Sequence, residues 1–237
     1  MKGIILAGGT GTRLLPSTKI TSKQLLPVYD RPMIYYPLET LIRAGIKDVL
    51  VIMAPEYAGH FLRLLGSGQE WGITISYEIQ DNPEGIAQAF LIGDNFIGED
   101  NVTLILGDNI YEADFSASIR EFESGAKIFC KEVSDAQRFG VVEFDEQKKV
   151  ISVEEKPSNP KSNFAQTGLY VCDNSVIEKV RNLAPSARGE LEITEIMANY
   201  LSEGNLKAEF VKGAWFDCGT HDSLLEASNY MQQKKHE

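Results

Sequence analysis

Short apolar runs alternate along the chain with segments whose apolar positions recur at helical spacing. Runs at 3–7, 49–53, 73–79, 102–106, 126–130, 150–154, 168–172 and 208–211 predict strands. Amphipathic stretches at 34–44, 57–65, 86–95, 115–122, 175–182, 191–202 and 223–232 predict helices. Alternation of this kind predicts an α/β fold, a Rossmann-like, mostly parallel (mixed) sheet sandwiched between helices. Ligands of such sheets sit at the carboxyl ends of the strands. Two loops therefore come first for chemistry, the one after 3–7 and the one after 102–106.

Composition narrows the classes. Of 237 residues, 43% are hydrophobic, enough to build a core for one large domain or two small ones. No repeat, low-complexity stretch or Pro/Ser-rich linker interrupts the pattern. The net charge of −11 disfavours polymeric nucleic acid as a partner. Its distribution says more: residues 1–29 carry four cations (Lys2, Arg13, Lys19, Lys23) and no acid, which invites a small anionic ligand at that end. Cys130, Cys172 and Cys218 have no CxxC spacing and no clustered histidines, so they predict reduced core residues rather than a zinc site. No apolar run is long enough for a membrane span, and the apolar run at 4–7 is too short for a signal-peptide core. A cytoplasmic location is expected.

The glycine loop carries the first chemistry. Leu6, Ala7, Gly8, Gly9, Thr10, Gly11, Thr12 and Arg13 follow the first predicted strand. Glycines let backbone N–H groups approach phosphate oxygens closely. Arg13 adds a planar fork for phosphate. A tight turn alone would explain the glycines but not Arg13. The run lacks the Gly-Lys-Ser/Thr of a Walker loop. It is also a poor dinucleotide fingerprint, because Leu14 holds the third glycine position, which counts against a nicotinamide oxidoreductase. Lys23 and Gln24, between Pro16 and Pro27, supply a point charge and a donor–acceptor pair, the second half of a triphosphate clamp. Asp108 closes the run 102–106, where a carboxylate points into the ligand crevice; a turn or Asx cap is the plainer reading.

Residues 6–13 (LAGGTGTR) followed by 23–27 (KQLLP) resemble the signature of the sugar-1-phosphate nucleotidyltransferases. Further segments continue the resemblance over nearly the whole chain: 81–89 (DNPEGIAQA), 106–109 (LGDN), 139–142 (FGVV), 154–157 (EEKP), 186–194 (SARGELEIT) and 215–220 (WFDCGT). The resemblance implies one nucleotidyltransferase domain over 1–237, with a nucleotide-binding part at about 1–125 and a sugar-binding part at about 126–225. It implies condensation of dTTP with α-D-glucose 1-phosphate to dTDP-glucose and pyrophosphate, feeding dTDP-rhamnose and cell-surface polysaccharide synthesis. UTP or another sugar 1-phosphate is the alternative substrate. A non-catalytic relative that only binds nucleotide sugars would typically lose Arg13, Lys23, Asp108 or Asp217, and all four are present. A homo-oligomer is expected.

Roles follow from the same resemblance. Asp108 and Asp217 are implied ligands of Mg2+, a hard cation that takes oxygen donors and keeps several waters. Arg13 and Lys23 would stabilise charge on the transferred phosphoryl group and on pyrophosphate. The nucleotide side also takes Leu6, Ala7, Gly8, Gly9, Gly11, Thr12 and Gln24, together with Gln80, Pro83 and Gly85 at the base; an amide can pair with both an N–H and a C=O of a pyrimidine. Asn109, Gly140, Glu155, Lys156 and Gln166 are expected on the sugar-phosphate side, with Lys156 holding the phosphate and Glu155 the hydroxyls. The chain departs from the pattern at three positions. Phe139 stands where a tyrosine is frequent, Gln166 where a small apolar residue is frequent, and Cys218 where threonine is usual. The polar tail at 231–237 is short beside the helical extension of longer relatives, which predicts only weak, competitive inhibition by a dTDP-sugar end product.

Overall fold

The computed structural model describes residues 1–236. The chain divides into two compact units, each assembled from separated stretches. Residues 3–83, 105–120 and those from Gly213 onward form one; residues 1–2, 84–104 and 121–212 form the other. The division therefore interleaves along the chain. Residues 84–104 and 213 onward do not follow the expected parts at about 1–125 and 126–225.

The first unit is built on parallel strands Lys2–Ala7, Asp48–Met53 and Thr74–Ile79, in register Gly3 to Val49 and Asp48 to Thr74. Residues 49–53 are buried without exception, the near-continuous apolar run of a parallel strand covered on both faces. Helix Tyr35–Arg43 buries Leu38 and Leu41, and helix Ala58–Leu65 buries Phe61 and Leu65. A short antiparallel ribbon pairs Asn109–Tyr111 with Trp215–Asp217. Alternation sends Ile110 and Phe216 to one face, where they meet Val28, Met33, Cys218 and Ala227 in an apolar cluster. Helix His221–His236 covers that cluster through Ala227, Leu224, Tyr230 and Met231.

The second unit is largely antiparallel. Phe164–Cys172 pairs with Ala126–Glu132, and Gly140–Phe144 with Val150–Glu155. Leu206–Phe210 runs parallel to Ala126–Glu132. Helices Val176–Arg181 and Ile193–Ser202 bury Val176, Ile177, Val180, Ile193, Ile196 and Met197.

The fold class is thus the expected α/β one, with a mixed parallel and antiparallel sheet and helices. Local differences have local causes. The strand expected at 168–172 begins at Phe164, because buried Thr167 satisfies its hydroxyl on Phe129 O at 2.8 Å and passes as a core residue. The helix expected at 86–95 is two, Gln88–Ile92 and Asp94–Ile97, broken at Gly93. The strands Gly140–Phe144, Asn109–Tyr111 and Trp215–Asp217 were not legible as apolar runs. All three cysteines are buried and free.

Candidate active site

The loop after Lys2–Ala7 turns where Gly11 adopts φ +64°, a left-handed conformation that favours glycine. Thr18 ties the turn down by donating its hydroxyl to Gly11 O at 2.8 Å. In the one-turn 3-10 helix Thr12–Leu14, Leu14 is buried and Arg13 is exposed. A cavity of about 200 Å3 is lined by Gly9, Thr10, Gly11, Thr12, Arg13, Lys23 and Gly219. A Cβ on Gly219 would lie 2.9 Å from Arg13 Nη2 and 3.2 Å from Asp217 Oδ1, so the guanidinium and the carboxylate converge over that residue.

Asp108 reaches the same place through the backbone. Gly107 N donates to Leu6 O at 2.9 Å, setting the end of Val102–Leu106 beside the glycine loop. Gly107 has little room for a side chain: its Cβ would fall 2.9 Å from Gln24 Cγ and 3.1 Å from Leu6 O. Gln24, expected to touch nucleotide, is 2% exposed, and its amide oxygen accepts from the Ser22 hydroxyl. Cys218 N donates to Asp108 O at 2.9 Å, and Asp217 stands opposite Asn109 in the ribbon. The turn Lys23–Leu25 brings the Lys23 ammonium onto Asp108 Oδ2 as an ion pair. Burial alone would lower the Lys23 pKa and raise that of Asp108. Their mutual attraction outweighs it, so Lys23 is held above and Asp108 below the ordinary value, and both stay charged. Lys23 also feels Asp217 favourably and Arg13 unfavourably.

Gln80 follows strand Thr74–Ile79 and is 3% exposed. Its amide oxygen lies where a Gly8 Cβ would be, 1.9 Å away, so Gly8 is the residue that admits it. Gly85 belongs to the other unit. At φ +107° it packs on the backbone of Leu191, whose oxygen would be 2.4 Å from a Cβ. Leu191 N donates to Glu84 O at 2.6 Å and Leu191 O accepts from Ala87 N at 3.2 Å.

The sugar-side candidates form a second group within that unit. Glu155 pairs with Gly140 across the Gly140–Phe144 and Val150–Glu155 hairpin. Its Oε1 accepts from Arg188 at 3.1 Å and pairs with Lys156 at 3.1 Å; its Oε2 accepts from the Thr194 hydroxyl at 3.2 Å. Lys156 has φ 41°, uncommon for a residue with a side chain, and its N–H donates to Phe139 O at 3.0 Å. Gln166 is 5% exposed, and among the described residues its buried amide oxygen has no hydrogen-bond partner. Asn109, expected with this group, lies in the first unit, 2% exposed, with its carboxamide on Asp108, Tyr111 and Trp215. Sequence reasoning missed the residues that hold the candidates in place: Arg188 and Thr194 for Glu155, Tyr111 and Trp215 for Asn109. Arg188, Thr194 and Trp215 lie inside the segments 186–194 and 215–220 and could have been found there.

A glycine loop ending a parallel strand, with two cations and two carboxylates gathered at its mouth, defines an α/β protein that handles phosphorylated ligands. Comparison with known proteins makes this specific. The sequence model described as nucleotidyl transferase matches residues 2–234, and the chain belongs to that family. Glucose-1-phosphate thymidylyltransferase of Neisseria meningitidis is 55% identical over 98% of this chain and 83% of its own length. The enzyme of the same name from Mycolicibacterium smegmatis is also 55% identical, over 98% of this chain and 82% of its own. A Bacillus anthracis protein, assigned as a glucose-1-phosphate thymidylyltransferase and solved in complex with a sucrose, superposes with a TM-score of 0.93. It is 46% identical and covers 97% of this chain and 94% of that one. UDP-glucose pyrophosphorylase complexed with UDP-glucose follows at a TM-score of 0.85 and 25% identity, covering 98% of each chain. Among the described residues, no helix is long and apolar enough to cross a membrane.

Proposed function

We propose that this chain joins dTTP to α-D-glucose 1-phosphate, giving dTDP-glucose and pyrophosphate by in-line displacement within one nucleotidyltransferase domain. The observation that carries the reading is the pairing of Lys23 with Asp108 beside Arg13 and Asp217 at the glycine loop. An oxygen of the sugar phosphate attacks the α-phosphorus of the nucleotide, and pyrophosphate departs from the opposite side. The attacking group is already an anion, so no general base is required. The protein's task is alignment and charge stabilisation. Arg13 and Lys23 meet the negative charge of the triphosphate, and the Gly8–Gly11 backbone gives its phosphates room. Gln80 reads the pyrimidine edge, with Pro83 and Gly85 shaping the turn beyond it. Lys156 holds the sugar phosphate and Glu155 accepts from sugar hydroxyls. Gly140 and Gln166 complete that side.

The aspartates suit a divalent cation of the magnesium type. Both are hard oxygen donors, and Lys23 already places positive charge against Asp108. No group of three or more acidic, histidine or cysteine side chains able to hold a metal exists among the described residues. A cation here would complete its shell with water and phosphate oxygens, the habit of magnesium. Mg2+ bound by Asp108 and Asp217 would supply charge neutralisation for the phosphates. The chain works in the cytoplasm as a homo-oligomer and supplies dTDP-rhamnose and cell-surface polysaccharide synthesis.

Pyrophosphate release from dTTP, glucose 1-phosphate and magnesium tests the reading. Expected is turnover with dTTP and weaker turnover with UTP, since one methyl group is worth only about 10–200-fold in an apolar pocket. Preference for ATP or CTP over both would overturn it. A UTP-preferring enzyme is the second reading, favoured by the likeness to UDP-glucose pyrophosphorylase.

A further inference from the structure

The Gln166 carboxamide is satisfied at one end only. In strand Phe164–Cys172, Gln166 stands opposite Cys130 and Tyr170 opposite Ile128, so the residues between them face only Phe129. The Thr167 hydroxyl donates to Phe129 O at 2.8 Å and ties down this irregular stretch. Irregularities of this kind re-aim side chains. Here the buried Tyr170 hydroxyl is hydrogen-bonded to the Gln166 side chain. The Gln166 amide oxygen has no partner among the described residues, so the bond to Tyr170 falls to the amide nitrogen, which donates. A buried acceptor left open in this way is the exception in folded proteins.

Gln166 belongs to the wall of the proposed sugar side. A Cβ on Gly140 would lie 3.6 Å from Gln166 Cβ and 3.6 Å from Glu155 Oε2, so both side chains flank the same glycine. An ionised Glu155 only accepts, and the end of Gln166 that is left open also accepts. The wall offers acceptors, and the ligand has to bring the donors. We infer that Gln166 is a specificity-determining residue, whose amide oxygen accepts from one hydroxyl of the sugar 1-phosphate. The inference rests on the sugar-phosphate reading of this group and adds the substrate class, sugar 1-phosphates that carry an O–H or N–H donor at one particular carbon. Hydrogen or fluorine at that carbon leaves a buried acceptor unpaired. A site built to hydrogen-bond a substrate group rejects the analogue lacking it far more strongly than an apolar pocket rejects a missing methyl. The small apolar residue frequent at this position in the family would be indifferent to the change.

The test is kcat/KM, with dTTP as the nucleotide, for glucose 1-phosphate and for its monodeoxy and deoxyfluoro analogues at each hydroxyl-bearing carbon. Parent and Gln166→Met are compared, since methionine keeps the length of the side chain and drops the acceptor. Gln166→Met/Tyr170→Phe also removes the hydroxyl that the single variant leaves unpaired, and serves if the single variant fails to fold. At one carbon the parent should lose about 10–100-fold on either replacement. In the variant the same replacement should cost no more than about twofold, and at every other carbon parent and variant should lose alike to within about twofold. A purely structural Gln166 would lower kcat/KM for all the sugars by one factor. A parent-to-variant ratio that stays constant across the panel would therefore overturn the proposal. The parent's turnover of glucose 1-phosphate separates the two levels. With that turnover present and the ratio constant, only the role of Gln166 fails; without it, the reading of the site fails and takes this inference with it.

Discussion

Replacing Lys23 by methionine isolates the electrostatics of the site. The side chain keeps its length and apolar stem and loses its charge. Lys23 and Asp108 are 13% and 10% exposed at the side chain, so water screens the pair poorly. Removing one partner of a buried pair typically costs about 3–5 kcal/mol, because the other charge is left uncompensated. Protonation of Asp108 sets a ceiling on that cost, since a buried carboxylate can neutralise itself instead. At roughly 2–4 °C per kcal/mol for a chain of this size, melting should fall by about 10 °C in EDTA. A divalent cation replaces the lost charge. At ten times its Kd it should return about 1.4 kcal/mol to Lys23→Met by mass action. The double variant Lys23→Met/Asp108→Asn removes both charges and should recover most of the loss without metal. Melting curves in EDTA and in excess magnesium, on parent, single and double variants, measure each quantity. A single variant as stable as the parent in EDTA, or a double variant no better than the single, would refute the argument that Asp108 stands charged against Lys23.

Gly8→Ala places a methyl where the Gln80 amide oxygen now lies, 1.9 Å from the new Cβ. KM for the nucleotide should rise about 10-fold or more with KM for glucose 1-phosphate unchanged, the size of one misplaced amide at a buried polar contact. Gly140→Ala drives a Cβ to 2.6 Å from Thr194 Cγ2, and Thr194 is a hydrogen-bond donor to Glu155. Overpacking of this kind costs about 1–3 kcal/mol; steady-state kinetics should show KM rising for glucose 1-phosphate and not for dTTP. The pH dependence follows from the ion pair. The folded pKa of Asp108 lies below its ordinary 3.8, so its stabilisation is complete above that value and is lost as pH falls through the folded one. That of Lys23 lies above its ordinary 10.5, so its stabilisation is complete below that value and is lost as pH rises through the folded one. The difference in urea midpoint between the parent and Lys23→Met/Asp108→Asn should therefore stay constant from about pH 5 to 9 and change below about pH 4.

What the sequence made legible, and what it hid, divides by the range of the physics involved. Residues 49–53 announce a covered parallel strand, because burial on both faces requires every position to be apolar. The glycine loop was legible for a comparable reason: only a backbone that must turn sharply and lie open to phosphate repeats glycine beside an arginine. The ribbon that joins Asn109 to Asp217 carries no such mark. Each of its strands has three residues, and its polar face looks like loop sequence. Its register is fixed by contacts between residues 106 positions apart, such as Trp215 with Asn109, which no local pattern records. Asn109 shows the consequence for site assignment. The resemblance sets it on the sugar-phosphate side, and reading along the chain leaves its protein partners open. The fold brings an obligate donor to its oxygen, and that single contact decides which way the amide faces. Lys156 makes the complementary point, since its φ of 41° is imposed by the hairpin that pairs Glu155 with Gly140. Strain of this sort, about 1–3 kcal/mol, persists only where the surroundings over-determine the backbone. Here they do, through Lys156 N–H on Phe139 O and Glu155 held by Arg188 and Thr194. The chemistry-bearing residues are thus readable one by one, while their orientation belongs to neighbours far away in sequence, and it is orientation that decides whether a carboxylate faces a cation or a lysine a phosphate.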